Sequence, residues 1–142
     1  MRVKAFVDAN VLVSVLNKEF PLYNFSARVL SLANHDRYEI YTTSLCLAIG
    51  FYFSSKKSGE KLAKKKIGLL HEHLSIASIG QRAVQQAIND PRVEDLEDGF
   101  QYYAALEAGC QYLITENTAD YYFSQLEVLT SEDFLKQKVL GQ

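Results

Sequence analysis

Short apolar runs suited to strands alternate with helical stretches along this whole chain, and that alternation is its strongest constraint on fold. Residues 2–7 form the first run, with Val3, Ala5, Phe6 and Val7 supplying apolar weight, and further runs fall at 38–41, 73–79, 112–115 and 128–129. Helical patterning fills the intervals: from Asp8 toward Pro21, then 25–34, 45–53, from Glu60 onward, 81–88, from Asp95 to near Gly109, and from Ser131. Thr42-Thr43-Ser44 and Asp95 read as caps, because short oxygen-bearing side chains satisfy the free N–H groups of a first turn. The polar stretch 54–59 reads as a break. Leu62, Ile67, Leu69 and Leu70 are the expected apolar stripe of the helix after it, with Lys61, Lys64, Lys65 and Lys66 on its surface. Parallel strands need long connections, which helices provide. The expected fold class is therefore α/β, a three-layer α/β/α arrangement with a central, mostly parallel sheet, in a single domain over residues 1–142.

Composition narrows the function classes. The chain has 142 residues, 48% of them hydrophobic and 23% charged, which suits a globular protein with a sizeable core and excludes a disordered one. A net charge of −2 and a pI of about 5.9 leave no broad basic field for tight, non-specific nucleic-acid binding. An enzyme that touches RNA through a metal and a local basic patch stays open. Cys46 and Cys110 lie far apart in apolar stretches and match no zinc spacing, so buried free thiols are expected. Those thiols suit a reducing compartment, and with no signal-peptide pattern and no bilayer-length apolar run, a cytoplasmic protein is expected. His35, His71 and His73 show no spacing with the acids that suggests zinc or general-base duty.

Acidic residues stand at the ends of the apolar runs, in Val7-Asp8-Ala9-Asn10, Asp95-Leu96-Glu97-Asp98-Gly99, Thr115-Glu116-Asn117 and Ala119-Asp120-Tyr121. In an open parallel sheet the working edge lies beyond the carboxyl ends of the strands, where Asp8 and Asn117 both fall. Each acid alone could be a helix cap or a partner for a helix dipole. Three carboxylates converging would repel by about 4 kcal/mol per pair at 4 Å and an effective dielectric near 20. A hard divalent cation, Mg²⁺ or Mn²⁺, relieves that conflict, lowers the pKa of water and polarises a phosphoryl oxygen.

The ordered series of motifs resembles the PIN domain family. Val7-Asp8-Ala9-Asn10-Val11-Leu12 is similar to the family's opening motif. Glu97-Asp98-Gly99-Phe100-Gln101-Tyr102-Tyr103-Ala104-Ala105, Leu113-Ile114-Thr115-Glu116-Asn117, Asp120-Tyr121, Val128-Leu129-Thr130 and Glu132-Asp133-Phe134-Leu135 resemble its second half. The resemblance implies a small PIN-like α/β ribonuclease of the VapC toxin type, held by a small antitoxin protein. It implies catalytic, Mg²⁺-binding carboxylates at Asp8 and Asp98, with Asp120 completing the cluster, often through water. Asn10, Thr115 and Asn117 would shape or hydrogen-bond the site. The substrate would be single-stranded RNA, cut to leave 5′-phosphate and 3′-hydroxyl ends.

Two departures stand out. The family places another acid on the helix at 45–53, where this chain reads Leu47-Ala48-Ile49-Gly50. That favours one metal over two, and Glu97 could lend a carboxylate, although it is expected to turn away from Asp98 on the helix. The second is Glu116, where many relatives carry Arg. Glu116 would repel a phosphate backbone if it faces the groove. Lys56, Lys57 and Lys64 to Lys66 are candidates for phosphate contacts or for a solvated helix face. The aromatic patches Phe51-Tyr52-Phe53 and Tyr121-Tyr122-Phe123 are expected in the core, with an antitoxin or homodimer surface as the remainder. A degenerate fold that binds RNA or a protein without cutting is the rival, and a purely structural module with the acids as caps is the third reading.

Overall fold

In the computed structural model, which describes residues 2–141, five parallel strands lie in the order β3-β2-β1-β4-β5. Met1 and Gln142, the ends of the expected domain, lie outside the described residues. The central strand β1 (Val3–Val7) pairs with β2 (Tyr38–Thr42) on one side and β4 (Tyr112–Ile114) on the other. It can take that place because Ala5, Phe6 and Val7 have no exposed surface and need cover on both faces. β3 (Ser75–Ile76) and β5 (Glu127–Leu129) are the edges, both short, as suits strands with one unpaired side. The core runs through Ala5 to Val7, Ile40, Leu113 and Ile114 in the sheet and Val11, Leu12, Val29 and Phe134 in the helices.

Helices α1 (Ala9–Leu16) and α2 (Leu22–Ser31) join β1 to β2, α3 (Ser44–Ser58) and α4 (Glu60–His71) join β2 to β3, and α5 (Gln81–Asn89) and α6 (Leu96–Glu107) join β3 to β4. A 3₁₀ turn at Thr118–Tyr121 links β4 to β5, and α7 (Ser131–Phe134) follows the last strand, continued by a π-helical turn at Leu135–Val139. The chain runs from β1 outward to β2 and β3, then returns across the sheet to β4 and β5. The order therefore reverses between β1 and β4, and a crevice opens at their carboxyl ends.

Four expectations change. The polar stretch at 54–58 is the last part of α3, and the break narrows to Gly59, which turns the chain at φ 88°. Serines and lysines mask a helix here because they have packing and capping work. Ser54 is buried, and the Lys57 ammonium donates to the Asn17 carbonyl (2.5 Å) while Lys66 donates to that of Leu16 (3.2 Å). Two lysines thus close the carboxyl end of α1, where cations suit the dipole, and neither is free for phosphate. In α4 the buried position is Ala63, with Ile67 and Leu70 half-buried beside it, whereas Leu62 and Leu69 stand exposed. The strand expected over 73–79 shortens to Ser75–Ile76, and Pro21 immediately precedes α2, so that helix starts three residues before its expected position. Among the described residues no helix is long and apolar enough to cross a membrane.

Paired substitutions test the α4 face. Leu62→Ala is expected to change unfolding free energy by no more than about 0.5 kcal/mol, as for an ordinary surface site. Ala63→Leu should cost about 1–3 kcal/mol by overpacking, read by urea denaturation. The reverse ranking would restore the stripe expected from sequence.

Candidate active site

Asp8 follows the last residue of β1 and stays buried where the sheet order reverses. Its Oδ1 accepts from the Ala9 N–H (2.8 Å) and its Oδ2 from the Thr115 hydroxyl (2.9 Å). Thr115 follows β4, so this second bond ties together the ends of the two central strands. The same hydroxyl accepts from the Asn10 amide (3.0 Å) and the Asn117 N–H (3.1 Å), which fills its capacity of one donor and two acceptor sites. The Asn10 Oδ1 accepts in turn from the Glu116 N–H (3.1 Å). Asn10, Thr115 and Asn117 therefore form one clip around Asp8.

Asp98 reaches the same crevice from the first turn of α6, and Asp120 from the 3₁₀ turn Thr118–Tyr121. Asp8, Asp98 and Asp120 line one cavity of about 470 Å³. Asp95 begins α6 as a cap, accepting from the N–H groups of Glu97 (2.9 Å) and Asp98 (3.3 Å). Asp95 also lines the cavity, as do two acids beyond it, Glu97 and Glu19. Glu97 does so although it was expected to turn away from Asp98, because in a first helical turn both side chains still flank the crevice. Glu19, in the loop after α1, was not anticipated: nothing in its local sequence marks a loop acid as facing a cavity built mostly from later elements. The three histidines are exposed and none lines the cavity.

Electrostatics binds these acids into one unit. Burial raises the Asp8 carboxyl above its ordinary range, and the Asp120 charge adds to this, while hydrogen bonds from Ala9 and Thr115 oppose it. Asp98 is pushed up to about 7, first by burial and then by the charges of Asp95, Asp8 and Asp120. Glu97 rises from burial and from the charges of Asp95 and Asp8. The Tyr121 hydroxyl, buried near Asp8 and Asp98 without a hydrogen bond of good geometry, is driven far above its ordinary value by burial and by both carboxylates. Acids raised by burial and by neighbouring carboxylates in one crevice are the pattern expected of a functional site.

These donors suit a hard cation. They are carboxylate, amide and hydroxyl oxygens, with no histidine among them, and the Cys46 thiol 4.0 Å from Asp8 Oδ1 is held protonated by burial, its pKa about 12. Among the described residues no three acid, histidine or cysteine side chains stand close enough together to enclose a metal. A cation here would need water in part of its shell, as Mg²⁺ commonly keeps.

Neighbouring residues fix the carriers of these acids. Asp90 accepts from the Arg92 backbone (2.9 Å), from the Arg92 guanidinium (3.1 and 3.0 Å) and from the Tyr103 hydroxyl (2.7 Å). Tyr122, beside Asp120 and Tyr121, donates to the Arg92 carbonyl (2.5 Å) and so ties the 3₁₀ turn to the loop before α6. Gly99 lets α6 approach that loop: a Cβ there would meet Val93 Cγ1 at 2.6 Å and Ala87 Cβ at 3.1 Å. One turn after Asp98, Gln101 accepts from the Thr43 hydroxyl and joins α6 to the start of α3.

A family model described as the PIN domain matches residues 4–119. The chain belongs to the PIN domain family. It is 30% identical over 138 residues to Ribonuclease VapC1 of Aquifex aeolicus (strain VF5), covering 94% of each chain. The fold is also similar to that in the crystal structure of VapBC2 from Rickettsia felis bound to a DNA fragment from their promoter. There the TM-score is 0.65 at 17% identity, over 89% of this chain and 97% of that one. Mycobacterium tuberculosis VapC20, described as a Sarcin-Ricin loop cleaving toxin, gives a TM-score of 0.60 at 15% identity, over 77% and 86%.

Both departures of this PIN domain now have a location. Helix α3 carries no carboxylate, and Ile49 of the Leu47–Gly50 stretch is the residue that lines the cavity, together with Phe53. Glu116 lies outside that lining, because its carboxylate accepts from the Ser131 N–H (3.0 Å) at the start of α7. The repulsion of phosphate expected from Glu116 therefore loses its basis.

The raised Asp98 pKa sets a pH dependence. Below about pH 3.8 Asp98 is protonated whether folded or not; between 3.8 and about 7 only the folded chain retains the proton, so protonation favours the fold. That contribution is lost as pH rises through 7. In a chelator, the thermal midpoint of wild type relative to Asp98→Asn should fall progressively from pH 4 to pH 8. A difference independent of pH would contradict the environment described for Asp98.

Proposed function

We propose that this PIN domain, acting as one domain over residues 1–142, is a Mg²⁺- or Mn²⁺-dependent endoribonuclease that cleaves single-stranded RNA. The observation that carries this reading is the meeting of Asp8, Asp98 and Asp120 in one cavity, where burial raises the Asp8 and Asp98 carboxyls and the Asp120 charge adds to both. The name of the Aquifex relative, a ribonuclease at 30% identity over nearly the whole chain, supports the reaction class. Asp8 and Asp98 would hold the ion directly and Asp120 through water. When bound, the ion supplies a Lewis acid for a phosphoryl oxygen and an activated water. Thr115 and the Ala9 N–H hold the Asp8 oxygens in orientation, and Asn10 and Asn117 hold Thr115. Products with 5′-phosphate and 3′-hydroxyl ends are expected.

The same reading makes the protein the toxin of a toxin–antitoxin pair in the cytoplasm, a setting that its two free, buried cysteines suit. The Rickettsia relative is described as VapBC2, and here exposed Leu62 and Leu69 on α4 are apolar surface that a small antitoxin or a second copy in a homodimer could cover. A second reading, a PIN domain that binds RNA or a protein without cutting, is favoured by one observation: α3 carries no acid.

Metal titration and cleavage separate the two. Saturating Mn²⁺ should raise the wild-type thermal midpoint by about 3–10 °C and leave Asp8→Ala unmoved. Purified protein with Mn²⁺ should cut single-stranded RNA, and Asp98→Asn should lower the rate at least about 100-fold, the scale of one lost charge-stabilising group. Binding of Mn²⁺ and RNA without cleavage would select the non-catalytic reading.

A further inference from the structure

We propose that the apolar wall of the acidic cavity is a base-stacking subsite that seats one unpaired nucleobase beside the scissile phosphate, with Phe53 as its platform. This rests on the ribonuclease reading and gives it a substrate-selecting element. The cavity has two kinds of wall. The acids come from the end of β1, the loop after α1, the start of α6 and the 3₁₀ turn, whereas Val13, Leu22, Ile49 and Phe53 come from α1, α2 and α3. Ile49 and Phe53 are four residues apart on α3 and so share one face of that helix. The departure that removes an acid from α3 therefore builds this wall, since Ile49 stands in the stretch where the family carries it.

Phe53 is held but not covered. It retains 46% of its surface, and Tyr52 meets it nearly at right angles, with centroids 5.2 Å apart at 81°. An edge contact of that kind covers at most one face of the ring. Lys56 lies with its ammonium 4.4 Å from the Tyr52 ring centre, and among the described residues no carboxylate pairs with it. Lys56 follows Phe53 by three residues on α3 but lies outside the cavity lining.

Size and continuity choose the occupant. About 470 Å³ falls in the range of small-molecule pockets and suits one nucleotide better than an element of protein structure. A strand whose phosphate sits at Asp8 and Asp98 brings its own base to this wall within the same cavity. A base can lie on an exposed ring only when it has left its own stack and pair, so the subsite admits single strands and loops and excludes duplex. Sequence preference should be modest, because every base presents a π-face.

The test uses full-length protein with Mn²⁺ and single-stranded oligoribonucleotides carrying one abasic nucleotide at successive positions around the cut. In wild type, one abasic position next to the cut should raise KM about 5- to 100-fold, with little effect elsewhere. Phe53→Ala should raise KM for intact RNA by a similar factor and lose the abasic penalty, with an unchanged thermal midpoint; Phe53→Trp should restore both. If wild type cleaves RNA and Phe53→Ala shows the same KM and the same abasic pattern, the stacking subsite is wrong and the ribonuclease reading stands. If wild type cleaves no RNA, both fail. An unchanged KM for Phe53→Ala, with a shift from dimer to monomer in sedimentation, would assign the wall to contact with a second copy of the chain and overturn the proposal.

Discussion

A buried carboxylate at the point where the sheet reverses is the constraint on which the rest of this molecule depends. Removing a charged group from water is costly unless hydrogen bonds replace the water. Asp8 meets that condition through the Ala9 N–H and the Thr115 hydroxyl, one from its own helix and one from the end of β4. The bond to Thr115 needs β1 and β4 side by side, which the parallel register Val7↔Ile114 provides. Fold and site are thus coupled, because the pairing that buries Phe6 and Leu113 also brings Thr115 to Asp8.

Around that carboxylate the protein accumulates unfavourable electrostatics. Asp98, at about 7, is the clearest sign, and it arises because burial and three neighbouring acids act in the same direction. The arrangement persists because its carriers are fixed elsewhere. Asp90, Arg92, Tyr103 and Tyr122 join the loop before α6 to the 3₁₀ turn that bears Asp120, and Gly99 lets α6 seat closely against Val93 and Ala87. Helices α1, α2 and α3 contribute the opposite chemistry, an apolar wall, to the same cavity.

Sequence made the scaffold legible wherever pattern and geometry agree. Alternating strand and helix patterns gave the parallel sheet, and the resemblance of the acidic motifs to PIN domains pointed to Asp8, Asp98 and Asp120, which share one cavity. Reading failed where a polar residue does internal work. Ser54 and Lys57 looked like a break because nothing local shows that one is buried and the other closes α1. Leu62 and Leu69 looked like core because leucine spacing alone cannot tell which side of a helix meets a neighbour, and the small Ala63 marks that side. Glu116 looked like a repulsive group in the groove, yet its partner at Ser131 is fifteen residues away. Glu19 faces a cavity completed by later elements, so only tertiary structure could reveal it.

The central claim is that Asp8, Asp98 and Asp120 act as one divalent-metal site. Diffraction from crystals grown with Mn²⁺, at a wavelength where manganese scatters anomalously, tests it most directly. The account predicts one anomalous peak within direct coordination distance of Asp8 and Asp98, with Asp120 bound directly or through water, and its loss in Asp8→Ala crystals. Full-occupancy manganese elsewhere on the chain, or none in this cavity at saturating concentration, would contradict it.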